Sequence, residues 1–180
     1  PWDAATDAPA PATERLVQTI RGVKHVFNPG PSWIDQALDQ YWTEATDIYV
    51  REAQQARVQA IHAASNHVTA LPALAAARRL GLPFSYEVRG LWEVTEASGK
   101  PGWEESERYR LAEMLESHVA RNADTVFAIT EQVKDELVRR GVHPDRIHLL
   151  PNGVDTDSFT PMPPSERVRT KLQLPADIPV

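Results

Sequence analysis

The sequence predicts an α/β protein: a mainly parallel β-sheet with helices on both faces. Short apolar runs at residues 58–63, 83–88, 124–129 and 147–150 alternate with helical stretches, the signature of βαβ units. Helix boundaries are marked as well, with Asn66 and Thr130 placed to cap two helices and Gly81 and Gly141 placed to end them. Residues 58–63 are mostly apolar without alternation, as in a strand buried on both faces.

Residues 1–19 read as an irregular lead-in, because the first fourteen combine several prolines with little apolar periodicity. Residues 23–27 favour a strand and are closed by the turn-forming Asn28-Pro-Gly-Pro31. From Ser32, a candidate N-cap, apolar residues recur at spacings of three and four through Trp33, Ile34, Ala37, Leu38, Tyr41, Trp42, Ala45, Ile48 and Tyr49. A long amphipathic helix to about residue 56 follows, its apolar stripe facing a core rather than a membrane.

After the strand at 58–63, Asn66 opens an Ala/Leu-rich helix ending at Gly81, and residues 83–88 form the next strand. Residues 91–103 contain Gly99, Pro101 and Gly102 among charges and read as a loop. Helical spacing resumes at 104–122 through Leu111, Met114, Leu115 and Val119, then a strand at 124–129 and a helix at 131–140. That helix ends with Arg139-Arg140-Gly141, cations in the last turn before a C′ glycine. A last strand at 147–150, a proline-rich stretch and a short helical run at 165–172 complete the chain. It begins with Pro rather than Met and breaks off as a new apolar strand starts, so it reads as an excised piece.

The bulk properties exclude several classes. A length of 180 residues suits one domain with a tail, and 42% hydrophobic with 24% charged residues is a globular composition. A net charge of −6 speaks against broad nucleic-acid binding, which needs a basic face. Without cysteine there is neither a disulfide framework nor a sulfur-ligated metal site, which is compatible with a reducing cytosol. No apolar run approaches the roughly 18 residues of a spanning helix and no signal-peptide order is present, so membrane contact would be peripheral.

His25, His62, His118, His143 and His148 are too scattered for a metal site read from sequence, and none is assigned. Glycine-rich dinucleotide loops, P-loops and the Gly-x-Ser-x-Gly elbow are absent. Glu-x7-Glu occurs at Glu44/Glu52, Glu96/Glu104 and Glu105/Glu113, as expected by chance in a chain so rich in glutamate. Ile147-His-Leu-Leu-Pro-Asn-Gly-Val-Asp155 is more informative, since Asn-Gly takes positive φ readily and can turn the backbone at a strand's carboxyl end, where α/β sheets bind ligands.

The ordered set Ala123-Asp124, Thr130, Pro151 to Asp155, Phe159 and Pro161 resembles the end of the N-terminal domain in family-4-type GT-B glycosyltransferases. Upstream, Ala60-Ile-His-Ala-Ala-Ser65, residues 74–83 and Pro83-Phe-Ser-Tyr-Glu-Val-Arg-Gly-Leu91 match that family's register, and Glu87 to Glu93 is similar to members linked to exported polysaccharides. The resemblance implies a Rossmann-like domain over residues 20–160 with its first strands missing, and a linker into an absent C-terminal domain over 161–180. It implies a retaining transferase that moves a sugar from a nucleotide-sugar to a sugar or lipid-linked acceptor. This piece would carry the acceptor side and be inactive alone. No cofactor or metal is implied, the nucleotide-sugar being a co-substrate bound mainly by the absent domain. An exposed sheet edge, left by missing strands, would offer a route to self-association.

Many members carry a histidine where this chain has Arg89, which cannot shuttle protons at neutral pH but can stabilise negative charge; it is the candidate catalytic residue. The alternative for Arg89 is a local salt bridge with Glu87 or Glu93. Ser65, Asn66, His67 and Gly90 are the candidates for the acceptor side, Asn66 alternatively serving only as a cap, and Thr130, Asn152 and Gly153 for the cleft edge near the donor. A non-catalytic α/β binding or assembly module and a GT-B epimerase or phosphorylase stand as alternative functions.

Overall fold

The computed structural model describes residues 14–32, 34–160, 165–173 and 175. Expectations for residues 1–13, for Trp33 and for Pro161, Pro163 and Pro164 lie outside them. So does half of the expected linker after residue 160.

The chain opens with a hairpin of β1 (Leu16–Ile20) and β2 (Val23–Phe27), paired antiparallel. Part of the expected lead-in is thus a strand. Arg21 and Gly22 between them have φ of 50° and 80°, the two positive values of a type I′ turn that suits twisted hairpins. Helix α1 (Leu38–Ala56) has Ala37 as its N-cap, five residues after the expected Ser32. Ser32 Oγ instead accepts from the Ile34 amide within a local turn. At its other end, Arg57 is left-handed, and the Arg57 and Val58 amides donate to Gln54 and Ala53 in a Schellman-type closure. Residue 58 is consumed by that closure, so β3 runs over Ile61–Ala64 only.

The βαβ succession then follows: α2 (His67–Leu80), β4 (Phe84–Val88), α3 (Trp92–Ser98), α4 (Glu107–Asn122), β5 (Thr125–Ala128), α5 (Glu131–Arg139), β6 (Ile147–Leu149) and α6 (Glu166–Leu172). Helix α3 occupies the stretch expected to be a loop. Its start is tied by a buried ion pair, Glu93 to Arg140 at 2.6 Å, that sequence periodicity does not reveal.

Strands β3, β4, β5 and β6 form one parallel sheet in that order, a Rossmann-like α/β arrangement. Ala63, Tyr86, Val126 and Ile147 lie in register on one face and pack with Ala70, Ala73, Leu74 and Ala77 of α2, Val119 and Ala120 of α4, and Leu137 of α5. All three crossover helices therefore cover the same face, whereas helices on both faces were expected. The reason is topological: strands are added in one direction only, and right-handed crossovers then fall on one side. Among the described residues the opposite face carries His62, Ser85, Glu87, Phe127 and His148, with the Phe127 ring centroid 6.1 Å from those of both histidines.

Candidate functional site

Parallel strands end together, so the four carboxyl ends of the sheet form one edge, the usual ligand side of such sheets. Each sequence candidate lies there. Ser65, Asn66 and His67 follow β3, Arg89 and Gly90 follow β4, Thr130 follows β5, and Asn152 and Gly153 follow β6.

The β3 and β4 ends are joined directly. Ser65 Oγ accepts from the Arg89 backbone amide at 2.8 Å, and the Ser65 amide donates to the Glu87 carbonyl at 2.9 Å. The Ser65–Asn66 peptide bond is cis. Asn66 Oδ1 accepts from the Val68 amide at 3.1 Å, so the capping role is real. Beneath the turn sits Glu116 of α4, its side chain 2% exposed, accepting from the His67 amide at 2.9 Å and from the Tyr86 hydroxyl. Burial and the neighbouring carboxyl group push the Tyr86 phenol far above its ordinary range, keeping it a donor.

The Arg89 guanidinium reaches back to Glu87, with Nε to Oε1 at 2.8 Å and Nη2 to Oε2 at 3.4 Å. The salt bridge weighed for Arg89 therefore exists, with Glu87 as the partner. Glu93 is the partner of Arg140 instead. Hydrogen bonding to Arg89 first, then to His62, holds the Glu87 carboxyl below its usual range, and Glu87 in turn raises the Arg89 guanidinium. His62 completes a chain, its Nδ1 2.8 Å from Ser85 Oγ and its Nε2 3.2 Å from Glu87. Arg89 remains 62% exposed, so an incoming anion can compete for it with Glu87.

The β5 and β6 ends are built differently. Thr130 Oγ1 accepts from the Val133 amide at 3.2 Å and caps α5. Leu150 donates to the Ala128 carbonyl at 2.8 Å, after which Asn152 and Gly153 run exposed. Gly153 does not take positive φ, so the tight turn expected of Asn-Gly is not made. Strand spacing of about 4.8 Å puts the β3 and β6 ends roughly 14 Å apart, and no bond joins the two groups of candidates among the described residues.

Other motif positions turn out to be structural. Asp124 accepts from the Phe84 amide at 2.8 Å, and its own amide donates to Phe84, which ties the starts of β4 and β5. Asp155 accepts from the Asp157 and Ser158 amides and the Ser158 hydroxyl, a self-contained turn that holds its carboxyl below the usual range. The residues that sequence reading missed are Glu116, Tyr86 and the Glu93–Arg140 pair, while Glu87 was foreseen only as a salt-bridge partner of Arg89 and not for its bond to His62. Glu116 left a signal: it shares a helical face with Val119, Ala120 and Ala123, where an acidic residue needs a partner. Glu87 left a weaker one, alternating with Phe84, Tyr86 and Val88 along β4.

A groove of about 590 Å³ lies elsewhere, along the outer edge of β3, between it and Tyr49, Glu52 and Ala53 of α1 and Val26 of β2. It includes none of the acceptor-side or donor-side candidates. Among the described residues that edge of β3 pairs with no strand, and no helix is long and apolar enough to cross a membrane.

Known proteins resemble this chain in sequence and in fold. The chain is 34% identical over 111 residues to a D-inositol 3-phosphate glycosyltransferase of Xylanimonas cellulosilytica, covering 58% of this chain and 26% of that protein. It is 28% identical over 72 residues to an alpha-maltose-1-phosphate synthase of Mycolicibacterium smegmatis, covering 39% of this chain and 19% of that protein. It thus spans about a quarter or less of the length of these relatives. Among solved structures, sucrose-phosphate synthase of Thermosynechococcus elongatus shares the fold with a TM-score of 0.59 at 18% identity, covering 91% of this chain and 37% of that one. Anabaena HepE in complex with UDP-glucose does so with a TM-score of 0.57 at 17% identity, covering 77% and 35%. The family description Glycosyltransferase Family 4 matches residues 4–158, and with the parallel sheet and its carboxyl edge in place, the chain belongs to that family.

Proposed function

We propose that this chain is the acceptor-side portion of a retaining, nucleotide-sugar-dependent glycosyltransferase, and that it is inactive without the portion that binds the donor. The observation that carries this reading is the Ser65–Arg89 hydrogen bond, which sets a helix-opening polar turn beside an exposed cation at the sheet's carboxyl edge. In the transfer, the acceptor hydroxyl oxygen bonds to the anomeric carbon as the bond to the nucleoside diphosphate breaks. The diphosphate leaves with that electron pair and takes up the hydroxyl proton. Arg89 stabilises the charge developing on the leaving group, exchanging Glu87 for phosphate oxygen. Ser65, Asn66, His67 and Gly90 line the acceptor, and Thr130, Asn152 and Gly153 border the donor.

Kinship with a named glycosyltransferase and likeness to a fold that holds UDP-glucose support the reading. In the full-length protein, UDP release from UDP-glucose is expected to fall at least about tenfold in Arg89→Ala, about 1.4 kcal/mol of transition-state stabilisation. Unchanged kinetics in a folded variant sink the role of Arg89. Turnover by residues 1–180 alone sinks the division of labour.

A further inference from the structure

His62 stands on the sheet face that the crossover helices leave open, level with Ser85 of the neighbouring strand and on the same side as Glu87. Its ring engages both. Nδ1 is 2.8 Å from Ser85 Oγ and Nε2 is 3.2 Å from Glu87 Oε2. A carboxylate only accepts, so Nε2 carries a proton, and the Ser85 hydroxyl can donate to a bare Nδ1 or accept from a protonated one. The ring therefore keeps one orientation in either charge state and donates to Glu87 in both.

Glu87 divides its two oxygens unequally. Oε1 takes Arg89 Nε at 2.8 Å, while Oε2 faces both Arg89 Nη2, at 3.4 Å, and His62 Nε2. A guanidinium aligned on a carboxylate makes two parallel bonds of about 2.7–2.9 Å. Here the second is stretched, and His62 occupies the oxygen it needs. Arg89 is held firmly through Nε alone. Its Nη1 meets no acceptor among the described residues, and neither does the adjacent Gly90 amide. Without the imidazole, Oε2 would be free for Nη2 and the fork could close. An incoming phosphate oxygen would then have to displace two short charged bonds instead of one.

We propose that His62 is a positioning residue for Arg89: by holding Glu87 Oε2 it keeps the Arg89–Glu87 fork half open, so that the terminal nitrogens of Arg89 are available to the diphosphate of the nucleotide-sugar. This role rests on the proposed function of Arg89. After Arg89 has exchanged Glu87 for phosphate, His62 stays on the carboxyl group, which is then not left unpaired beside the anion.

The test uses the full-length protein with nitrogen-labelled arginine. The Arg89 Nε–H NMR signal, identified by its loss in Arg89→Lys, is followed during titration with UDP. In the wild type it should move saturably. In His62→Ala, a half-exposed position outside the core, the apparent Kd is expected to rise about threefold, the size of one exposed charged hydrogen bond. Glu87→Gln should lower it by at least about threefold. The double variant His62→Ala/Glu87→Gln should bind UDP as Glu87→Gln does, because a neutral amide has no grip for the histidine to relieve. A loss that persists in the double variant overturns the inference, since His62 would then act on UDP or on the fold and not through Glu87. A wild-type signal that UDP does not move removes the role of Arg89 and that of His62 with it. A signal that moves alike in the wild type and in His62→Ala removes the role of His62 alone.

Discussion

The two halves of the sheet's carboxyl edge are built on opposite plans. At the ends of β3 and β4, a turn, an arginine and two carboxyl groups are cross-braced over three elements, with Glu116 on α4 reaching His67 on α2 and Tyr86 on β4. At the ends of β5 and β6, Thr130 serves its own helix and residues 152–153 serve no one. One half is pre-organised and the other is open backbone. A site that must hold an acceptor in one orientation gains from the first, because fixed donors need no reordering on binding. The second half is free to adapt to whatever faces it.

The largest expected effect tests the brace itself. Glu116→Ala strands a buried phenol and a buried amide, and a loss of about 3 kcal/mol of folding stability is expected in denaturant unfolding. A loss below about 1 kcal/mol would mean that the two halves do not differ in rigidity. Smaller changes should separate the halves by location. Ser65→Ala removes the acceptor of the Arg89 amide and Thr130→Ala removes a helix cap, each costing about 1 kcal/mol. Amide hydrogen exchange should quicken around Arg89 in the first and be confined to the start of α5 in the second. Spread of either effect across the edge would erase the contrast.

Acid sharpens it from another side. Hydrogen bonds from Arg139, and then Arg140, hold Glu136 at about 2 against an ordinary 4.5. A depressed carboxyl contributes stability above its unfolded value and loses it as pH falls through the folded one. Stability should therefore decline between about pH 4.5 and pH 2 by about 1 kcal/mol after solvent screening, and Glu136→Gln should remove that part of the decline. Because Arg140 also holds the buried Glu93, any excess loss would show that the α5 cations brace the β4 side as well. Least of all, Gly153→Ala should change stability by no more than about 0.5 kcal/mol, since its φ is ordinary and a Cβ there meets nothing. A larger penalty, read in thermal unfolding, would mean that the open half is packed after all.

What could be read from the sequence was what repeats or punctuates. The strands, the caps at Asn66 and Thr130, and the glycine stop at Gly81 follow from period and local chemistry. Every candidate at the carboxyl edge could be placed because strand ends are predictable once the strands are. What escaped depends on pairs distant in sequence. Glu116 meets His67 and Tyr86 at separations of 49 and 30 residues, and Arg140 meets Glu93 at 47. The start of α1 and the helix α3 were misjudged because Ser32 spends its oxygen on a nearer turn and because glycines around residue 100 mask a short helix. The expectation of helices on both faces failed for a simpler reason: alternation of elements fixes that crossovers exist, not the direction in which strands are added.

That direction has a consequence at the β3 edge. A further strand laid outside β3 and wound away from β4 through a right-handed crossover would carry its helix to the face that now shows His62, Phe127 and His148. The winding would then reverse between β3 and its new neighbour. Such a reversal opens a crevice in a doubly wound sheet, and here it would open next to Ser65 and Asn66.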